Sequence, residues 1–216
     1  MAQARPNPLS RRQALGLAAA ALTAGARGAR AASLPVVTLL GDSISAGYGL
    51  AAADALPAQL AVALLHLGVA AQVRAAAVSG DTTADGLARL DFSVQPDTAL
   101  CVVELGGNDL LQGAEPTSVQ ANLTAILDRL KARRIRGLLA GMRAPPAMGA
   151  AYARQFDAAF PAAAKAAGAR LYPFLLAGVA GKAGLNQQDG IHPNPAGVKI
   201  VAAHLAPAVA MALGAR

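Results

Sequence analysis

Tryptophan is absent, and aromatic residues make up only 3% of the 216 residues. A surface that stacks nucleic-acid bases needs several aromatic side chains, so no nucleic-acid partner is expected. Cysteine occurs once, as Cys101 in the apolar run Leu100-Cys101-Val102-Val103. It cannot form an internal disulfide, so the fold does not depend on an oxidising compartment, and it reads as a small core residue. Histidine occurs three times, at 66, 192 and 204, with no H-x-x-x-H spacing. No ligand cluster for a hydrolytic metal is apparent, and neither a metal nor a cofactor is expected.

Acidic residues are missing from the first 32 positions, which hold Arg5, Arg11, Arg12, Arg27 and Arg30. Removing those five from the 19 basic residues leaves 14 against 12 acids, so the rest of the chain is nearly neutral at +2. The basic character belongs to the leader, not to a nucleic-acid or membrane footprint. Ser10-Arg11-Arg12-Gln13-Ala14-Leu15 precedes a weakly apolar run to Ala26, and Ala29-Arg30-Ala31 offers small residues for a signal peptidase. Residues 1–32 therefore read as a twin-arginine-type signal peptide, cleaved near Ala31, with residues 33–216 as the functional domain. A basic disordered tail or an alternative start site is the competing reading. The apolar run is too short to span a bilayer, so no transmembrane segment and a periplasmic or secreted protein are expected.

From Val36 onward, short apolar runs alternate with helical patterns. Strands are expected at Val36–Leu40, Gln72–Val78, Thr98–Leu105, Gly137–Met142 and Leu171–Pro173. Asp54 can cap a helix from Leu56 to about Leu67, and Asp81 or Thr82 a short one through Leu87 and Leu90. Pro116 suits the first turn of a helix carrying Val119, Leu123, Ile126, Leu127 and Leu130 on one face. Ala147–Ala167 reads as a helix broken at Pro161, and Pro195–Leu213 as one bent or broken near Pro207. Five alternations imply an α/β domain whose parallel sheet is covered on both faces. Every strand then ends on one edge, which collects Ser43, Gly80 and Asn108.

Ser43 follows the first strand in Gly41-Asp42-Ser43, where a side chain is held rigidly and faces a crevice. His192 lies in Gln188-Asp189-Gly190-Ile191-His192-Pro193-Asn194, three residues after Asp189. One turn can bring the carboxylate to Nδ1, leaving Nε2 to take the proton of Ser43 Oγ. His66 and His204 sit in helices and read as surface or packed structural residues. Acyl transfer also needs donors for the developing oxyanion. The Ser43 and Gly80 backbone N–H groups and the Asn108 amide can supply them. Each motif alone also describes an ordinary turn or cap.

Taken together, Gly41-Asp42-Ser43, Ser79-Gly80-Asp81-Thr82, Gly106-Gly107-Asn108-Asp109 and Asp189-Gly190-Ile191-His192-Pro193 resemble the blocks of the SGNH (GDSL) hydrolases, in order and spacing. Within that family the chain looks most similar to bacterial periplasmic multifunctional esterases of thioesterase, arylesterase and lysophospholipase type. The resemblance implies a three-layer α/β/α flavodoxin-like domain with a five-stranded parallel sheet. It implies metal-free hydrolysis of small-molecule esters, thioesters or lysolipids by a monomer. Ser43 would be nucleophile, His192 base and Asp189 its orienter, with Ser43, Gly80 and Asn108 forming the oxyanion hole. The family's mobile loop would be Leu110–Pro116, with Leu110 and Leu111 lining an acyl site.

Three other functions compete. Gly47-Tyr48-Gly49 with Ala52 could open a dinucleotide site, but Ser79-Gly80 ends the second strand without an acid for a ribose hydroxyl. A non-catalytic carrier would not need serine, histidine and asparagine together. A carbohydrate O-acetylesterase would use the same residues with a smaller acyl pocket.

Overall fold

The computed structural model describes residues 34–215. The leader, its cleavage point and the twin-arginine reading therefore lie outside the described residues. The strands are β1 (Val36–Gly41), β2 (Gln72–Ala77), β3 (Thr98–Glu104), β4 (Arg136–Ala140) and β5 (Arg170–Tyr172). They form one sheet in the order β2-β1-β3-β4-β5, with every pairing parallel. The helices are α1 (Ser43–Ala46), α2 (Leu56–His66), α3 (Thr83–Ser93), α4 (Gly107–Leu111), α5 (Pro116–Ala132), α6 (Ala150–Ala167) and α7 (Pro195–Leu213). The α2 and α7 helices pack together, while α5 packs against both α3 and α6. This is the flavodoxin-like three-layer arrangement, and its strand order reverses between β1 and β3. Ligands of open α/β sheets bind outside the carboxyl ends at such a point.

The central strands are apolar because both faces are covered. All of β1 is buried, as are Leu100 through Glu104 of β3. Edge strand β2 departs from the expected double-sided burial, since its residues are exposed or half-buried. It also stops at Ala77 rather than Val78. Helix α2 departs too: its N-cap is Ala55, with no side-chain cap, and Asp54 closes a 3-10 turn over Ala52–Asp54. Pro57 in the first turn needs no N–H partner, which lets the helix start without a polar cap. Thr82 does cap α3, forming a reciprocal capping box with Asp85.

Neither internal proline breaks its helix: Pro161 lies inside α6 and Pro207 inside α7. Both are exposed, so the carbonyl each leaves unpaired four residues earlier can be hydrated. By length and composition α7 could cross a bilayer. Its Val198, Val201, Leu205 and Val209 are instead buried in the common core, which makes it a core helix.

Candidate active site

The turn that carries Ser43 is built by β1 and braced by β3. After Gly41 the chain turns through Asp42, whose Oδ1 accepts the Ile44 N–H at 3.1 Å and starts α1 at Ser43. A side chain at Gly41 would meet Glu104 Oε2 at 2.5 Å and Ser45 Oγ at 2.6 Å, so this position must lack a Cβ. Ser43 is 9% exposed, enough to open its hydroxyl to the crevice while its backbone is held. Arg89 of α3 clamps the same edge. It pairs with Asp81 and donates to Ala76 O at 2.8 Å and Gly41 O at 2.9 Å.

From the other side comes the loop before α7. Gln187 N donates to His192 O at 2.7 Å, and Asn186 bridges Pro193. Gln187 Nε2 then reaches Tyr48 O at 2.8 Å and Pro193 O at 3.2 Å, tying this loop to the segment after α1. The Tyr48 ring lies 4.8 Å from the imidazole of His192. Across 149 positions of sequence, His192 Nε2 comes to 2.8 Å from Ser43 Oγ. Nδ1 is 2.7 Å from Asp189 Oδ2, and Asp189 Oδ1 accepts the N–H groups of Ile191 at 2.9 Å and His192 at 3.0 Å. The imidazole bond and those two backbone donors hold the Asp189 carboxyl down at about 2. Asp189 is thus ionised at every working pH, and it favours the Nδ1–H tautomer that leaves Nε2 basic.

The other expected site residues also gather at this edge, with differences. Asn108 opens α4 and lies on the cavity wall, but Nδ2 already donates to Asp42 Oδ2 at 3.2 Å and Asp81 O at 2.9 Å. An oxyanion would therefore share or replace one of those acceptors. Gly80 follows β2 with φ of 92°, a conformation that favours glycine, but it does not line the cavity itself. Among the described residues the N–H groups of Ser43 and Gly80 have no protein acceptor. Leu110 and Leu111 both line the cavity, but as the last residues of α4 rather than in a loop. The cavity encloses about 390 Å³, and its wall includes Ile44, Met142, Phe174, Leu176 and Ile191. His66 and His204 are exposed and stand apart from this cavity, and Cys101 is fully buried.

Three polar residues that brace the site escaped the sequence analysis. Asp109 accepts from Thr83 N at 2.8 Å and Thr83 Oγ1 at 2.6 Å, locking the asparagine block onto α3. Arg89 and Glu104 hold the edge that carries Ser43. Glu104 alone gave a signal, as the one charged residue in an otherwise apolar strand.

Comparison with known proteins extends the geometry. Residues 39–200 match the GDSL-like Lipase/Acylhydrolase family. The chain is 40% identical over 163 residues to "Esterase TesA" of Pseudomonas aeruginosa, covering 75% of this chain and 81% of that protein. It is also 40% identical over 166 residues to the Escherichia coli protein named "Thioesterase 1/protease 1/lysophospholipase L1", covering 76% and 78% respectively. A solved structure of TesA superposes with a TM-score of 0.77 at 37% identity, covering 82% of this chain and 99% of that one.

Proposed function

The chain belongs to the GDSL-like lipase/acylhydrolase family and is an ester hydrolase, and on that premise we propose that it works through an acyl-enzyme on Ser43. The Asp189–His192–Ser43 relay, with contacts of 2.7 and 2.8 Å, is the observation that carries this reading. Ser43 Oγ attacks the carbonyl carbon as His192 Nε2 takes its proton. The carbonyl π electrons move to oxygen, where the Ser43 and Gly80 N–H groups and the Asn108 amide stabilise the charge. Collapse expels the leaving alkoxide or thiolate, which receives the proton from Nε2. Water then gives a proton to Nε2 as its oxygen attacks the acyl-enzyme, and collapse breaks the bond to Ser43 Oγ, which takes the proton back from Nε2 as the acid leaves.

The acyl chain occupies the apolar cavity, with Leu110 and Leu111 at its wall. A cavity of about 390 Å³ exceeds what an acetyl group needs, which favours longer acyl esters over carbohydrate O-acetyl groups. Thioesters and lysophospholipids are the proposed natural classes, by similarity to the relative whose name carries both activities. The relay is complete within one chain, so the proposed mechanism does not require a second copy. Export is proposed from Arg11-Arg12, the apolar run and the Ala29-Arg30-Ala31 box, and a periplasmic fraction that loses the protein in the R11K/R12K variant would support it.

The test is hydrolysis of p-nitrophenyl esters from acetate to palmitate by wild type and Ser43→Ala. The expected result is activity that favours chains longer than acetyl and vanishes in the variant. Activity that survives in Ser43→Ala overturns the mechanism, and activity confined to acetate overturns the acyl-cavity reading.

A further inference from the structure

Glu104 is a carboxyl group at the end of the central strand β3, only 1% exposed, under the turn that carries Ser43. Its hydrogen bonding is one-sided. Oε2 accepts three donors: Ser45 Oγ at 2.6 Å, Ser45 N at 3.2 Å and Asp42 N at 3.4 Å. Oε1 is buried and receives none of them. An ionised carboxylate spreads charge over two equivalent oxygens, and both seek donors. A neutral acid differs: its carbonyl oxygen accepts and its hydroxyl must donate. Three donors on one oxygen and none on the other is the pattern of the neutral acid.

The acceptor for that hydroxyl is at hand. The Asp42 carboxyl, itself 2% exposed, is the neighbouring charge, and the Asp42 N–H already holds Glu104 Oε2 at 3.4 Å. Two carboxylates buried together resist ionising both at once, since burial removes the second charge from bulk solvent and no cationic side chain pairs with either among the described residues. Burial and the neighbouring Asp42 charge push the Glu104 carboxyl well above the usual range. Asp42 is the better anion, because it also accepts from Ile44 N and from Asn108 Nδ2 at 3.2 Å.

We propose that Glu104 is a positioning residue that stays protonated and donates through Oε1 to Asp42, so that one shared proton joins the Ser43 turn to Asn108. Oε2 gathers the turn from below by the Asp42 and Ser45 donors. Asp42 passes the constraint to Asn108 through the Nδ2 contact on its Oδ2. The pair thereby sets the spacing between nucleophile and oxyanion donor, neither of which Glu104 touches itself. Gly41 lacks a side chain because the Glu104 carboxyl occupies that space. The inference rests on the proposed roles of Ser43 and Asn108.

The test compares Glu104→Gln and Glu104→Ala by infrared spectroscopy, by kcat per site titrated with a phosphonate, and by KM. Glutamine preserves the pattern, since its carbonyl oxygen accepts the three donors and its amide donates to Asp42. The expected results are a carbonyl band of a protonated carboxylic acid that Glu104→Gln removes, and at least about a third of wild-type kcat in that variant. Glu104→Ala is expected to lose about 10²-fold in kcat per titrated site with little change in KM, the scale of a displaced reacting group. A band absent from wild type or unchanged in Glu104→Gln overturns the proposal. So does a Glu104→Gln loss equal to that of alanine, or wild-type kcat per site in Glu104→Ala. If Glu104→Ala does not fold, the spectrum and the glutamine variant decide. Wild type that hydrolyses no ester refutes the function, while the infrared band still reads the carboxyl pair.

Discussion

Replacing Asp189 with asparagine should damage the enzyme more than replacing it with alanine. The reason lies in which oxygen is already committed. Asp189 Oδ1 accepts two backbone N–H groups, those of Ile191 and His192, while Oδ2 faces His192 Nδ1. In Asp189→Asn the carbonyl oxygen must stay with those two donors, so Nδ2 is turned toward the ring. An amide N–H aimed at Nδ1 makes Nδ1 the acceptor and drives the ring proton onto Nε2. Nε2–H then faces Ser43 Oγ and cannot take its proton. A buried triad locked in the wrong tautomer loses about 10⁴-fold in kcat. Here the Asp189 side chain is 36% exposed, so water can compete and a loss of about 10³-fold is expected. In Asp189→Ala, water can accept from Nδ1–H, and both tautomers are populated. Only orientation and the charge that stabilises imidazolium disappear, for a loss of about 10²-fold. The assay is kcat on a p-nitrophenyl ester, with site titration to correct for inactive protein. Asparagine equal to or better than alanine would refute the tautomer argument.

Other perturbations test other parts of the structure. Asp189 holds its carboxyl at about 2, below the ordinary 3.8, so its stabilisation is fully present above pH about 4 and is lost as pH falls through about 2. The difference in urea midpoint between wild type and Asp189→Asn should narrow across that window, and a constant difference would contradict the shift. Burial raises the Cys101 thiol to about 12, so a thiol reagent should label it only after unfolding, and rapid native labelling would refute its burial. Leu111 is 61% exposed at the cavity wall, and Leu111→Ala should lower kcat/KM about fivefold for long acyl esters while sparing acetate. Equal losses on both would remove Leu111 from the acyl site. Gly41→Ala should destabilise by about 1–3 kcal/mol in urea unfolding and depress kcat, because the new methyl meets Glu104 and Ser45.

The fold was legible because the central strands are largely apolar runs that end near glycine, and the longer helices carry a 3.6-residue stripe. Edges and caps were less so. Asp54 lay within reach of α2, but Pro57 and Ala55 let that helix begin without it. Pro161 and Pro207 look like breaks in sequence, yet on exposed faces the helices run through them. The relay was legible because Ser43, Asp189 and His192 lie in short blocks with local chemistry. Arg89, Asp109 and Gln187 were not, since each reaches at least one partner 26 or more positions away that carries no local signature. Asn108 was legible as a residue of this edge, while its two acceptors depend on the fold bringing Asp42 and Asp81 beside it.

The most direct test of the Ser43 mechanism is mass spectrometry of the intact protein after exposure to a p-nitrophenyl phosphonate, followed by peptide mapping. A single adduct on Ser43, with nitrophenol released in equal amount and no adduct in Ser43→Ala, is the expected result. An active enzyme that gains no adduct, or gains it on another residue, would contradict the assignment of Ser43 as nucleophile.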